Sequence, residues 1–515
     1  MKFTLRSMSV AAALLLSGTA SADTTIYITG STAFRAATSN AIKNVFSSLS
    51  GSGSFTDGTG THSVSYGYAY DGTSFTGATH QIFVGTVSGI TSGNGVVIVK
   101  TCWNGSLAGI QALDTPSSPP ASLAFFDSPW IATTGVPVNS SGNNYTATGS
   151  LNDTSNATLA MADNTQGATP FTSTTMTDTK VGIVPFAWVA SYSAPSGLTN
   201  ITPQLARALL GTGYVSAALF TNNAADKDNA GGTRVYAAGR DPLSGTRLNA
   251  YAEVGFGINS APAQYQYVTA PSGTTITSIQ LVPGDTTLAT PVGQYAGQTG
   301  FSSGGTLANM MRYDTSTVTY KTRTGKGAFV TYLGESDSVT ATISSGVGAG
   351  AARILTYNGV SAFGGKQVAA TDCTWTTGSA TVTSATTGKF AGVVVGQLVR
   401  CAGFGGDVIV SAIDGTNTIL TLSKTATTTQ SAATGSCTTS IILPSAIWNG
   451  TYTMWGYEHI LWESSLTGDG LTFGNKLATQ ISTIDYYASG LALDTAGGSM
   501  SVSRASEGGT VTQTY

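Results

Sequence analysis

The sequence predicts an α/β protein interrupted by one small all-β module. Short apolar runs hand over repeatedly to segments with apolar residues at helical spacing, the pattern of strands alternating with helices in parallel sheets. Residues 367–440 abandon that pattern for apolar/polar alternation broken by Gly-rich turns such as Asp414-Gly415. The chain is 515 residues long and 41% hydrophobic, enough for about two or three domain cores.

The elements follow in order. Lys2 and Arg6 precede an apolar run from Ser9 to Leu16 that is too short to span a bilayer, and Ala20-Ser21-Ala22 has the A-x-A form of a cleavage site. A signal segment over 1–22 is therefore expected, with a secreted, periplasmic mature chain from Asp23. Ile26-Tyr27-Ile28 reads as a strand. The following AFRAATSNAIKNVF reads as a helix, with Ser31 or Thr32 as its cap. Residues 50–75 suit an extended loop or hairpin. Val96–Val99 is an apolar strand before Cys102-Trp103-Asn104-Gly105-Ser106 and a helical Leu107–Leu113. Leu123-Ala124-Phe125-Phe126 reads as another strand, ending in Asp127, and 135–180 as polar loop. Val181–Ala190 is a buried strand, Thr202–Leu210 a capped helix, Gly304–Met311 a helix and Gly327–Leu333 a strand. Gly450–Trp462 returns to a strand-like and then helical pattern after the β module.

Composition excludes some functions. Only 9% of residues are charged, against roughly 25% in an average soluble chain. The formal net charge is −3, so the clustered Lys and Arg that nucleic acid demands are missing. The four cysteines include no C-x-x-C pair; three of them, Cys373, Cys401 and Cys437, fall in one late segment where one disulfide is plausible in an exported chain, and Cys102 lies apart. His62, His80 and His459 are scattered, and neither a metal nor a cofactor is expected.

Three strand-to-helix junctions stand out: Gly30-Ser31-Thr32, Asn104-Gly105-Ser106, and Arg240 with Ser244-Gly245-Thr246. Each puts a small hydroxyl residue at the start of a helix, where unpaired N–H groups and the helix dipole favour an anion without net basic charge. Arg240 adds a fork for two oxygens of a tetrahedral anion. Taken singly, such a residue is an ordinary cap. Three in one chain, one with arginine at a fixed offset, point to an oxyanion.

Here the chain resembles the phosphate-binding proteins of phosphate ABC transporters. Arg240-Asp241-Pro242-Leu243-Ser244-Gly245-Thr246 is similar to their R-x-D-G-S-G-T loop, with the same spacing from Arg to Ser-Gly-Thr. Ile28-Thr29-Gly30-Ser31-Thr32 resembles the family's start, Gly105-Ser106-Leu107-Ala108-Gly109 its G-S-S-G-G junction, and Phe126-Asp127-Ser128-Pro129 its strand ending in aspartate. Pro242-Leu243 and Leu107-Ala108 depart from these motifs, and Arg35 stands where the family often has Pro.

The resemblance implies a two-lobed periplasmic binding protein-like fold. Lobe 1 would comprise 23–190 and 452–515, lobe 2 191–366 and 441–451, with the β module of 367–440 inserted and crossings near Ala190 and Tyr452. It implies a monomer that binds inorganic phosphate or a related oxyanion for an ABC permease, not an enzyme. Thr32, Ala33, Phe34 and Ser106 would bind from one lobe, and Arg240, Ser244, Gly245 and Thr246 from the other. Asp127 would read the ligand's proton: an ionised carboxylate only accepts hydrogen bonds, so it takes the O–H of phosphate and repels fully ionised sulfate.

Two rivals stay open. Gly300-Phe301-Ser302-Ser303-Gly304 fits G-x-S-x-G and His459 lies downstream, the order of a serine hydrolase, although the residues before it do not form a buried strand. A surface or adhesive protein on a binding-protein scaffold would suit the low charge, with Trp448, Trp455 and Tyr457 as a carbohydrate face. Convergence of Arg240, Ser106 and Asp127 on one cleft discriminates these readings.

Overall fold

The computed structural model describes residues 22–120, 123–127, 143–144, 151–229, 231–268, 271–282, 300–483, 490–493 and 500–514. The expected signal segment and most of the polar stretch 128–150 lie outside the described residues. No helix among the described residues is long and apolar enough to cross a membrane.

Strand β1 (Thr24–Gly30) turns Ile26 and Ile28 into the core and leads to helix α1 (Arg35–Val45), which buries Ala37, Ala41 and Ile42. Ser31 is no direct cap: its Oγ accepts from Phe34 N at 3.3 Å, one turn before the helix. The 50–75 stretch contains a hairpin, Ser52–Asp57 with Gly60–Ser65. Strand β2 (Val96–Cys102) is buried throughout, and helix α2 (Ser106–Asp114) follows.

The expected strand at Leu123–Phe126 does not form. Phe125 makes an isolated bridge to Asp153. The place beside β1 is instead taken by strand β3 (Leu159–Ala162), a fully buried four-residue run inside the segment read as loop. β1 is parallel to β2 on one edge and to β3 on the other.

Strand β4 (Met176–Ala190) is long enough to serve both halves of the molecule. Beyond it come helix α3 (Pro203–Thr212), capped by Thr202 Oγ1 accepting from Leu205 N at 3.3 Å, strand β5 (Arg234–Ala237) and helix α4 (Gly245–Glu253). Helix α5 (Gly304–Met310), strand β6 (Gly327–Gly334) and helix α6 (Glu335–Thr342) complete that half. Strand β7 (Trp455–Glu463) and helix α7 (Gly468–Thr483) return to the first.

The main sheet has 12 strands, in the order Tyr214–Ser216, β5, β6, β4, β7, β3, β1, β2, His80–Thr86, Gly67–Tyr70, Asn143–Asn144, with Arg353–Ile354 also on β4. β4 joins its halves. Up to Pro185 it pairs with β7; from Phe186 onward it pairs with β6 on its opposite edge. The changeover thus falls at Pro185–Phe186, earlier in the strand than the crossing expected near Ala190. The other passage lies against it, where Tyr452 Oη donates to Phe186 O at 2.6 Å.

Six strands between Ala369 and Thr439 close into a separate barrel with its own core, including Trp375, Phe390, Val410 and Leu420. A disulfide joins Cys401 and Cys437, which face each other across two barrel strands; Cys373 and Cys102 are buried free thiols. The barrel touches both halves. Ser440 at its exit donates to the Glu335 carboxylate on α6, and Arg400 Nη2 donates to Gly490 O at 3.1 Å.

Candidate functional site

Arg240 follows β5 and is 2% exposed, with its guanidinium at the seam between the halves. Its Nε donates to Phe301 O at 3.0 Å, and Nη2 donates to Ser302 O at 2.8 Å and across the seam to Thr32 Oγ1 at 3.4 Å. Its backbone is pinned as well. The amide donates to Tyr332 Oη at 3.2 Å, and the carbonyl accepts from Arg247 Nη1 at 3.1 Å and Gln264 Nε2 at 3.3 Å. A residue held by so many partners keeps its orientation without a ligand.

The third junction behaves as its sequence promised. Ser244 caps α4, its Oγ accepting from Arg247 N at 3.3 Å. Gly245 opens the helix, and Thr246 Oγ1 donates to Asp163 Oδ2 at 3.3 Å. Ser106, at the start of α2, donates to Asp163 Oδ1 from the other side. The Asp163 main-chain carbonyl accepts from Asn249 Nδ2 on α4 at 2.6 Å. One aspartate, placed by the end of β3, therefore collects the hydroxyls of two junctions. Gly245 is required by that approach, since a Cβ there would lie 1.6 Å from Asp163 Oδ1 and 2.6 Å from Ser106 Oγ.

The sequence-derived residues thus separate into groups. Thr32, Ser106, Arg240, Gly245 and Thr246 are brought together, with Ser244 as the cap behind them. Phe34 is core: its ring is 0% exposed and its amide is spent on Ser31. Ala33 is buried beside Gly334. Asp127 is not at the cluster. Its carboxylate accepts from Asn152 N at 2.8 Å and Nδ2 at 3.2 Å, in a turn with no strand before it. The aspartate that does stand at the cluster is Asp163, which follows β3, the strand paired with β1.

Further acids gather here that the sequence did not flag. A Cβ on Gly304 would sit 1.9 Å from Asp337 Oδ2 and 3.1 Å from Arg240 Nη1, so this glycine lets the two charged groups share one corner. Burial pushes the carboxyls of Asp163, Asp241 and Asp337 up, against the pull of Arg240 on all three. Burial, reinforced by Asp163, also raises Glu458 well above the usual range.

A cavity of about 230 Å³ adjoins the cluster. Thr32, Arg35, His80 and Trp103 line one wall, and Asp241 and Ser302 the other. Burial alone would depress the His80 imidazole, but its 2.6 Å bond to Asp71, assisted by Cys102, raises it to about 9.

The hydrolase elements are not brought together. Ser302 gives its carbonyl to Arg240, whereas His459 pairs with Asp178 across β4 and β7. Of the aromatic residues weighed as a carbohydrate face, Trp455 is buried under Arg504 and Tyr457 lies under Lys180 Nζ at 3.8 Å.

No protein-family model matches the chain, and a search of curated proteins gives no match. Among solved structures the chain is similar to an ABC-type phosphate transport receptor from Vibrio cholerae (10% identity, 89% of this chain and 96% of that one, TM-score 0.33). It is similar also to a possible phosphate binding protein from Planctomyces limnophilus (10% identity, 86% and 82%, TM-score 0.26) and to PstS from Borrelia burgdorferi (9% identity, 89% and 93%, TM-score 0.29). These superpositions are coarse.

Proposed function

We propose that this chain is an extracytoplasmic receptor that captures inorganic phosphate between the two halves of its main sheet and delivers it to an ABC permease. The observation that carries this reading is the convergence of Ser106, Thr246 and Asp163 beside Arg240, which itself reaches Thr32 across the seam.

Each group has a task in that reading. Arg240 supplies a full positive charge through a guanidinium already held in place. The first turn of α4 offers backbone donors and the positive end of the helix dipole. Ser106 and Thr246 now donate to Asp163, and on capture they turn their protons to ligand oxygens. Asp163, freed of those donors, accepts the ligand's own O–H. That exchange favours protonated phosphate over sulfate, because sulfate would leave the buried carboxylate without a donor, at a cost of about 1–3 kcal/mol or more.

Calorimetric titration with phosphate and sulfate tests this. Wild type should prefer phosphate by about tenfold or more, and Arg240→Ala should abolish tight binding of both. Asp163→Asn should weaken phosphate and improve sulfate, since an amide can donate. The preference of wild type should narrow as pH falls, because burial raises the Asp163 carboxyl and a protonated Asp163 can also donate to sulfate. Equal affinity for both anions in wild type, or an Arg240→Ala variant that binds as well as wild type, would overturn the reading.

A further inference from the structure

The Ser106–Asp163–Thr246 cluster accounts for a single oxyanion, yet the cavity of about 230 Å³ beside it is bounded by both halves and extends past Thr32 and Ser302 to Arg35 and His80. Thr32 and Ser302 are the residues that Arg240 Nη2 touches, so the cavity starts where the Arg240 guanidinium ends. Arg35 is the first residue of α1.

Arg35 is incompletely used. Its Nε donates to Thr76 O at 3.3 Å, and its two terminal nitrogens have no acceptor among the described residues. His80, on the same wall, is positively charged at neutral pH through its bond to Asp71. Asp71 in turn is occupied by that imidazole and by the amides of Thr79, at 2.8 Å, and His80, at 3.1 Å. The acid on the facing wall, Asp241, directs Oδ1 to Leu243 N at 3.0 Å. Arg35 is also attracted by the carboxyls of Asp337 and Asp71, the former shared with Arg240, but among the described residues its terminal nitrogens make no hydrogen bond to either. The cavity therefore ends in a guanidinium with donors to offer, and a second anionic group is the chemistry that would use them.

We propose that the ligand of this chain carries two anionic groups, one phosphoryl at the Arg240 junction and a second anion at Arg35 in the adjoining cavity, as in a diphosphate or a small phosphorylated acid. This rests on the phosphate reading of the junction and narrows it. Arg35 is here the specificity-determining residue.

Inorganic pyrophosphate, phosphonoacetate, glycerol 3-phosphate and orthophosphate would be titrated into wild type, Arg35→Gln and Arg35→Pro. Arg35→Gln keeps the helix start unchanged and is the primary variant; Arg35→Pro strains Phe34, whose ψ is 6°, and counts only where its melting temperature matches that of wild type. In wild type, pyrophosphate or phosphonoacetate should bind at least about tenfold more tightly than orthophosphate, and glycerol 3-phosphate, which has no second anion, should not. Both variants should lose that preference while orthophosphate affinity stays within about threefold. If only pyrophosphate gains, the second group is a phosphoryl; if phosphonoacetate gains equally, a carboxylate serves. The proposal is overturned if orthophosphate binds as tightly as both probes with two anionic groups, or if Arg35→Gln and Arg35→Pro weaken all four ligands alike. Failure of every ligand to bind wild type would count against the phosphate reading itself.

Discussion

Gly245 carries no side chain because the carboxylate of Asp163 stands where one would be. Gly245→Ala should push Asp163 off Ser106 and Thr246, neither of which has a long flexible stem to yield. We expect a loss of about 1–3 kcal/mol in chemical denaturation together with weakened phosphate binding. Unchanged stability would mean that Asp163 moves at no cost and that the close approach is not a constraint. His80 gives a second residue-level expectation. Its imidazole is raised from an ordinary value near 6.5 to about 9, so its stabilisation is fully present below about pH 6.5 and is lost as pH rises through about 9. Melting curves of wild type and His80→Gln between pH 6.5 and 9.5 should therefore converge at the alkaline end. Parallel curves would show that the pair with Asp71 contributes no pH-dependent stability.

Among the elements, those with strong local signals were legible in the sequence. The strands at β1, β2, β4 and β6, the capped helix α3 and the strand-to-helix handover at Ser244 follow from apolar runs, helical spacing and capping residues alone. β3 was not legible. Four residues, Leu159 to Ala162, are too few to establish a period, and the Asn and Thr around them signal loop. That failure bears on the candidate site, since Asp163, the aspartate at the cluster, follows the strand that was missed, whereas Asp127 stands apart from it after a strand that does not form. Glu335 and Asp337 were invisible for another reason: burial beside Arg400 and Arg240 comes from tertiary packing and leaves no local pattern. The barrel was read from its alternation, and its removal is a test at this scale. Ala369 and Thr438 are directly paired, so the ends of the 367–440 segment lie close together and a short Gly/Ser linker can join them. None of the barrel residues belongs to the Asp163 cluster, so phosphate affinity in the deletion should stay within about threefold. Stability should fall by about 1–3 kcal/mol, because Glu335 loses both Ser440 and the charge of Arg400. A folded deletion unable to bind would assign the barrel a part in shaping the cleft.

For the whole molecule, the proposed capture requires that the halves separate and meet again. Several contacts cross the seam, among them Leu107 N donating to Leu243 O at 3.0 Å and Asn249 Nδ2 donating to the Asp163 carbonyl. Hydrogen exchange can follow such an opening. Without ligand, the Leu107 amide should exchange faster than amides of the β1–β2 ladder, and saturating phosphate should slow it, with little effect on the ladder. Protection of Leu107 as high as that of the ladder, with and without phosphate, would describe a molecule that stays shut. The changeover in β4 bears on how costly that motion is. Proline has no N–H, so at Pro185 the backbone has one bond fewer to break, at the residue where one sheet edge is exchanged for the other. A pivot located there bends with little resistance of its own. In the proposed capture, the balance between open and shut would then depend chiefly on what occupies the cleft, and a few contacts with a small anion would be sufficient to govern the attitude of two much larger bodies.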